Sequence, residues 1–282
     1  MTHPQRLDHF EHDGLHFDVI DSGPIDGEIV ILLHGWPQTA KCWTDVSAVL
    51  HAAGYRTIAP NQRGYSLGAR PAPVSAYRIS RLVADIHALV TLLGGKPVHL
   101  VGHDWGAAVA WMYALRHPAL LRTLSNISVP HIGAFLRAMV SGDQLFRSYY
   151  MGMFQVRGLI EYIAKHQKKI FARLLLGSGM SEAQLADVYR DIIDVGSFTP
   201  AINWYRAMLL ASPKDLFRKV SVPTLYVWGD QDVALSRKGA ELCAQYVSGP
   251  YRFEVMHGVN HWIPEQHPEA LGALLLDAFT MG

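Results

Sequence analysis

Five residues, Gly102-His103-Asp104-Trp105-Gly106, stand between two stretches of different character. Before them runs Val98-His99-Leu100-Val101, which reads as a strand. After them Gly106-Ala107-Ala108-Val109-Ala110 opens a helix that His117-Pro118 stops. A strand that becomes a helix over so few residues has to turn on a sharp, strained bend, and the central side chain stands out from it. Small residues two before and two after the centre avoid clashes, and both are glycine here. The helix N-terminus points at the same spot and favours a carboxylate or a developing oxyanion. The usual pattern of this kind carries serine at its centre; this chain carries Asp104. The competing role for Asp104 is a plain helix N-cap, since Asp is favoured there. Partners elsewhere in the chain decide between the two.

Strand and helix signals alternate on both sides of that bend. Leu15, Phe17 and Val19 alternate in 15–22, which reads as an edge strand. Glu28-Ile29-Val30-Ile31-Leu32-Leu33 is a continuous apolar run, as in a parallel strand buried on both faces. Further strands are predicted at 57–60 and 121–128, with helices at 41–52 and 79–94. Gly94-Gly95 end the second of these. From 131 to 215 only helical patterns occur. After Pro223 the alternation resumes, with strands at 224–228 and 251–256 and helices near 236–247 and from 267. Repeated βα units predict an α/β fold with a mostly parallel central sheet flanked by helices. The expected division is a core domain of 1–130 and 216–282 and an inserted helical cap (lid) of 131–215. The cap would cover the carboxyl edge of the sheet, where open α/β sheets bind ligands.

Composition narrows the function classes. The 282 residues carry a net charge of +1 without basic or acidic blocks, so no footprint for nucleic acid or an anionic membrane is present. Cys42 and Cys243 lie in unrelated surroundings and read as two buried thiols rather than a disulfide framework. The N-terminus is polar, with no apolar segment of a signal peptide, and no uncharged run reaches the roughly 18 residues of a spanning helix. The expectation is a cytoplasmic monomer or homodimer. Fifteen histidines are present, but none falls in a metal-binding spacing, so no metal or organic cofactor is expected.

Partners for Asp104 follow from position along the chain. His34-Gly35-Trp36-Pro37-Gln38 follows the buried strand 28–33. A loop there supplies one oxyanion-binding N–H and the residue after the nucleophile supplies the other, here Trp36 and Trp105. His34 is expected to brace this loop. Gly258-Val259-Asn260-His261-Trp262 follows the last strand and offers His261 as general base, with His257 as competitor. In Gly229-Asp230-Gln231-Asp232, Asp232 lies further into the loop and is the expected acid. Asp230 reads as a turn residue. The order nucleophile, acid, histidine is that of the α/β hydrolases.

With these motifs assembled, the chain resembles the epoxide hydrolase branch of the α/β-hydrolase superfamily over nearly its whole length. The resemblance rests on His34-Gly35-Trp36-Pro37, Gly102-His103-Asp104-Trp105-Gly106, Gly229-Asp230-Gln231-Asp232 and His261-Trp262. It implies the α/β-hydrolase fold. Asn203-Trp204-Tyr205-Arg206 is similar to the family segment with one of two ring-opening tyrosines, which implies that role for Tyr205. The second matches Tyr150, beside Tyr149. Asn260 departs from the family's usual glycine, and 61–68 depart from its usual acidic start and Gly-x-Ser ending. The implied substrate is a small apolar epoxide, with water as co-substrate.

Attack on an epoxide carbon is displacement at sp³ carbon, which a carboxylate performs without first losing a proton. The product is an ester on Asp104. The oxygen that leaves is an alkoxide and needs donors, and tyrosine hydroxyls, with a pKa of about 10, stay protonated at neutral pH. Water activated by His261 then hydrolyses the ester. Trp36, Trp105, Phe154 and Trp204 are expected to bind substrate, with Met151, Met153, Met208 and Leu209 as further pocket wall; aromatic lids are also often plain apolar packing. The nearest rival is a haloalkane dehalogenase with the same Asp nucleophile. A fluoroacetate-type dehalogenase would carry Arg in place of Trp105. A non-catalytic binding protein of the same fold is a further alternative.

Overall fold

The computed structural model describes residues 5–210 and 213–282. Residues 1–4, on which the reading of a polar N-terminus partly rests, and residues 211 and 212 of the 131–215 block lie outside the described residues.

Eight strands form one sheet in the order β1-β2-β4-β3-β5-β6-β7-β8. They are β1 (His9–His12), β2 (Leu15–Ser22), β3 (Ile29–Leu33), β4 (Arg56–Pro60), β5 (Val98–His103), β6 (Leu121–Ile127), β7 (Thr224–Gly229) and β8 (Tyr251–Met256). From β4 to β8 every pair is parallel; β2 joins β4 antiparallel, and β1 joins β2 antiparallel. The expectation that 15–22 is an edge strand is therefore corrected. The edge is β1, a short hairpin partner whose turn, Asp13-Gly14, has φ of 54° and 70°. Two positive φ values are the type I′ geometry that Asp-Gly favours between strands.

The central strands are apolar on both faces because helices cover both. Val30 and Leu32 face one cluster with Trp43, Leu50 and Leu275; Ile31 and Leu33 face the other with Val109, Tyr113 and Ile86. Full burial of each such aliphatic chain stabilises the fold by roughly 1.5–3 kcal/mol. The covering helices are α1 (Thr44–Ala52), α2 (Ile79–Leu92) and α3 (Trp105–Arg116). Helix α3 packs on β5 and β6 and against α2, which is why almost its whole surface is apolar.

Between β6 and β7 the described chain is mostly helical. It comprises α4 (Ile132–Ser141), α5 (Gln144–Arg147), α6 (Tyr149–Gln155), α7 (Leu159–His166), α8 (Lys168–Leu176), α9 (Glu182–Val188) and α10 (Phe198–Ala207), with short turns between. The last helices, α11 (Arg237–Leu242), α12 (Ile263–Gln266) and α13 (Pro268–Phe279), return to the sheet. The helical segment is tied to loops at the carboxyl edge of the sheet. Trp204 donates its indole N–H to the Arg63 carbonyl at 2.7 Å, and Arg147 donates to the Asp232 carbonyl at 2.8 Å. Among the described residues no helix is long and apolar enough to cross a membrane. Cys42 and Cys243 are both buried free thiols.

Candidate active site

Strands β3 and β5 are neighbours, with Leu33 opposite Gly102, so the loops that follow them meet. Asp104 stands at that meeting point with φ 51° and ψ −121°, a backbone conformation that side-chain-bearing residues rarely adopt. Its side chain makes no bond to its own helix. Oδ1 instead accepts the Trp36 N–H at 2.7 Å, and Oδ2 lies 3.6 Å from His261 Nε2. Asp104 occupies the N-cap position of α3, but its side chain does not cap the helix. The flanking glycines are sterically required. A Cβ on Gly102 would lie 2.4 Å from the Gly106 carbonyl oxygen, and one on Gly106 would lie 2.1 Å from that of Leu33. Gly106→Ala is expected to destabilise the protein by about 3 kcal/mol, read as a drop in the midpoint of urea unfolding. A midpoint equal to wild type would show that the bend tolerates a methyl group.

Strands β7 and β8 are also neighbours, and their loops bring Asp232 and His261 together. His261 Nδ1 lies 2.7 Å from Asp232 Oδ2. Asp232 Oδ1 accepts the N–H groups of Ala234 and Leu235 at 2.8 and 2.9 Å, which fixes the carboxylate. Burial works against a charged His261, yet the negative charges of Asp232 and Asp104 outweigh it and hold the imidazole well above its ordinary pKa. Burial also works against the Asp104 carboxylate, but His261 and the Trp36 N–H keep its pKa below the usual value. The competitors form a separate pair. His257 Nδ1 meets Asp230 Oδ2 at 2.9 Å, with the His257 side chain 81% exposed.

Trp105 is the first residue of α3, where backbone N–H groups have no acceptor within the helix. The Trp36–Pro37 peptide is cis. His34 is fully buried and accepts the Gln62 N–H on Nε2 at 3.1 Å, with Nδ1 3.0 Å from the Gly35 carbonyl. Burial lowers its pKa to about 4, so it is the neutral brace of this loop.

Two cavities open on either side of Asp104. One, of about 330 Å³, is lined by Trp105, Trp204, Met151, Met208 and Phe135. The other, of about 580 Å³, is lined by Trp36, Phe154, Met153, Ile163, His261 and Trp262. Asp104, Tyr150 and Tyr205 line both. Tyr205 is buried edge-on between Trp36 and Trp105, at ring distances of 5.7 and 5.1 Å, and its ring lies 6.1 Å from that of Tyr150. Burial and the Asp104 charge raise both phenols, which keeps them protonated. Tyr149 is 66% exposed and reaches only the larger cavity. Leu209 is corrected from pocket wall to surface, since it is 78% exposed at the end of the helical segment.

A family model described as alpha/beta hydrolase fold matches residues 28–268. Epoxide hydrolase A of Mycobacterium tuberculosis is 30% identical over 95% of each chain. The chain belongs to the α/β-hydrolase family, in its epoxide hydrolase branch. The AB hydrolase superfamily protein YfhM of Bacillus subtilis is 31% identical over 94% of each chain. Among solved structures, epoxide hydrolase A from Mycobacterium thermoresistibile superposes with a TM-score of 0.81 at 25% identity, over 98% of each chain. As an α/β hydrolase, the chain brings its motif residues 36, 104, 232 and 261 to one edge of the sheet. Sequence reasoning missed two groups there. The Tyr65 hydroxyl is buried without a partner, and its phenol is raised by burial and by Asp104. His103, Gln38 and Glu265 form a chain behind His261. Gln38 was visible as part of His34–Gln38; nothing local marked Glu265.

Proposed function

We propose that this α/β hydrolase converts apolar epoxides to vicinal diols through an ester on Asp104, with 131–215 serving as the cap over the site. The observation that carries the reading is the division of labour at one carboxylate. Oδ1 of Asp104 is held by the Trp36 N–H while Oδ2 faces His261 at 3.6 Å. The same carboxylate lies where two apolar cavities and two protonated phenols converge.

Oδ2 attacks an epoxide carbon, and the C–O bond of the ring breaks as the ester bond forms. Tyr205 and Tyr150 donate to the departing oxygen, and the proton that finally rests on it comes, by way of solvent, from His261. That transfer follows from electrostatics. The resting imidazolium is stabilised by two carboxylates, and alkylation removes the charge of one of them. Neutral His261 then takes a proton from water as the oxygen of that water bonds to the Asp104 carbonyl carbon. The oxyanion forms on the oxygen held by Trp36, with the Trp105 N–H as second donor. Collapse expels the diol oxygen, which takes the proton of the new carboxyl group, and Asp104 and imidazolium are restored.

Tyr205→Phe is expected to slow ester formation by about 10²-fold, while the preformed ester hydrolyses at the wild-type rate. Stopped-flow measurement of the two phases checks this. An equal loss in both phases would contradict a donor role confined to ring opening. The function itself is tested with terminal, trans and cyclic apolar epoxides and with haloalkanes. Diol formation without halide release is expected; halide release with no diol from any epoxide would overturn the assignment in favour of a dehalogenase.

A further inference from the structure

The loop that carries His261 is fastened on two sides. Toward the sheet, the Val259 carbonyl accepts the Gln231 N–H at 2.9 Å, and the His261 carbonyl accepts the Ser128 hydroxyl at 3.3 Å. The other side meets the turn after α8, Gly177-Ser178-Gly179. Asn260, just before the base, donates from Nδ2 to the Gly179 carbonyl at 3.2 Å and to Gln266 Oε1 at 2.9 Å. Trp262, just after it, donates its indole N–H to Ser178 Oγ at 3.0 Å. Gln266 adds a bond to the Gly179 carbonyl at 2.9 Å. Both neighbours of the base thus grip the same turn of the helical segment. Gly179 has φ 89°, and a Cβ on it would lie 2.4 Å from Asn260 Nδ2, so glycine is what lets the turn come this close.

The two ends of the Asn260 amide do different work. Oδ1 accepts the Trp262 N–H at 2.9 Å, a turn within the loop itself. Nδ2 reaches a carbonyl 81 residues away. The reverse orientation of the amide would set its oxygen against the Gly179 carbonyl oxygen and its N–H group against the Trp262 N–H, so the bonds themselves fix which end is which. Serine 178 fits the same pattern: its hydroxyl donates to the Leu175 carbonyl at 2.6 Å and is left to accept from Trp262.

We propose that Asn260 is a positioning residue, latching the loop that carries the base to the Ser178-Gly179 turn and so setting the reach of His261 for ester hydrolysis. The bond from Nδ1 to Asp232, at 2.7 Å, holds one atom of the imidazole. Where Nε2 lies depends on the backbone that carries the ring. In the second step a water has to fit between Nε2 and the carboxyl carbon of the Asp104 ester, and a displacement of about 1 Å in such a geometry costs up to roughly 10²-fold in rate. The acid is tied to the helical segment too, since Arg147 donates to the Asp232 carbonyl at 2.8 Å. Gly177, Ser178, His261 and Trp262 all line the larger cavity, so the latch also fixes that wall against the base. Ester formation uses Asp104 and the phenols and makes no demand on the position of Nε2.

The proposal deepens the Asp104 ester mechanism and rests on it for its kinetic arm. Asn260→Asp keeps an oxygen for the Trp262 N–H but loses the donors to Gly179 and Gln266. Asn260→Gly loses both ends. Each variant should slow ester hydrolysis about tenfold and leave ester formation unchanged, with both phases followed by stopped flow. The rates are read above the His261 pKa of the ester, where the charge added in Asn260→Asp no longer alters the fraction of neutral imidazole. Wild-type hydrolysis in Asn260→Asp would show that the turn within the loop suffices, and equal slowing of both phases would show a general disturbance of the site; either would overturn the proposal. Hydrogen exchange of the Trp262 indole N–H, followed by NMR without substrate, tests the latch apart from any turnover. Exchange about tenfold faster than in the wild type is expected in both variants, because that N–H is buried against the same turn. Exchange in Asn260→Asp equal to that of the wild type would sink the latch whatever becomes of the ester mechanism.

Discussion

Asp104→Ala is expected to abolish diol formation, with kcat falling by about 10⁴-fold or more, while the protein stays folded. The size of the effect follows from what the carboxylate does. Among the described residues no other group at the junction of the two cavities is an anion with a free oxygen: Asp232 has one oxygen on His261 and the other on two backbone N–H groups. The fold should persist because the bend is built by backbone and glycines. Leu33 pairs with Gly102, and Gly106 packs against the Leu33 carbonyl, whatever residue 104 carries. Removing a buried charge also removes its desolvation penalty, which offsets the lost bond to Trp36. Turnover and thermal unfolding of the variant check the two halves. A variant that turns over at more than a few per cent of the wild-type rate would show that water attacks the epoxide directly.

His261→Ala is expected to leave ester formation in place and stop the reaction there. One equivalent of epoxide would be consumed per enzyme, and hydrolysis would slow by roughly 10³–10⁴-fold, the upper range for general base catalysis. Intact-protein mass spectrometry reads the trapped adduct directly. The pH dependence has a definite sign. In the free enzyme Asp232 and Asp104 together raise His261, so the imidazole is charged at neutral pH. In the ester Asp104 is neutral, that support falls to Asp232 alone, and the pKa drops. Ester hydrolysis in the wild type therefore rises with pH through this lowered value, while ester formation, which needs ionised Asp104 and protonated phenols, stays flat down to acid pH because the Asp104 pKa is already depressed and the phenols stay protonated. An adduct that never accumulates in the variant would remove His261 from the second step.

Much of this was legible because the chemistry sits on short, local patterns. The bend at 102–106 announces itself by two glycines that nothing larger can replace, and the structure supplies the reason in the approach of the Leu33 and Gly106 carbonyls. The loops after β3, β7 and β8 could be placed because parallel strands end on the same edge. Loop depth favoured Asp232 over Asp230; Asp232 lies beside His261, while Asp230 is taken up by His257 and the Gly258 N–H. What escaped the sequence depends on contacts distant along the chain. The hairpin strand β1 has only four residues and no clear alternation, so its pairing with β2 shows only in three dimensions. Leu209 fits an apolar pattern but ends the helical segment facing solvent. Glu265 lies 227 residues from its partner Gln38, and no local motif joins a carboxyl on α12 to a glutamine after β3.

The central claim is that the oxygen added to the substrate comes first from Asp104. A single turnover in water enriched in heavy oxygen, with enzyme in excess over epoxide, tests it most directly. The mechanism predicts an unlabelled diol and one heavy oxygen in the peptide that contains Asp104, because water attacks the carboxyl carbon of the ester. A labelled diol with an unlabelled Asp104 peptide would mean that water opens the epoxide itself, and the covalent mechanism would be wrong.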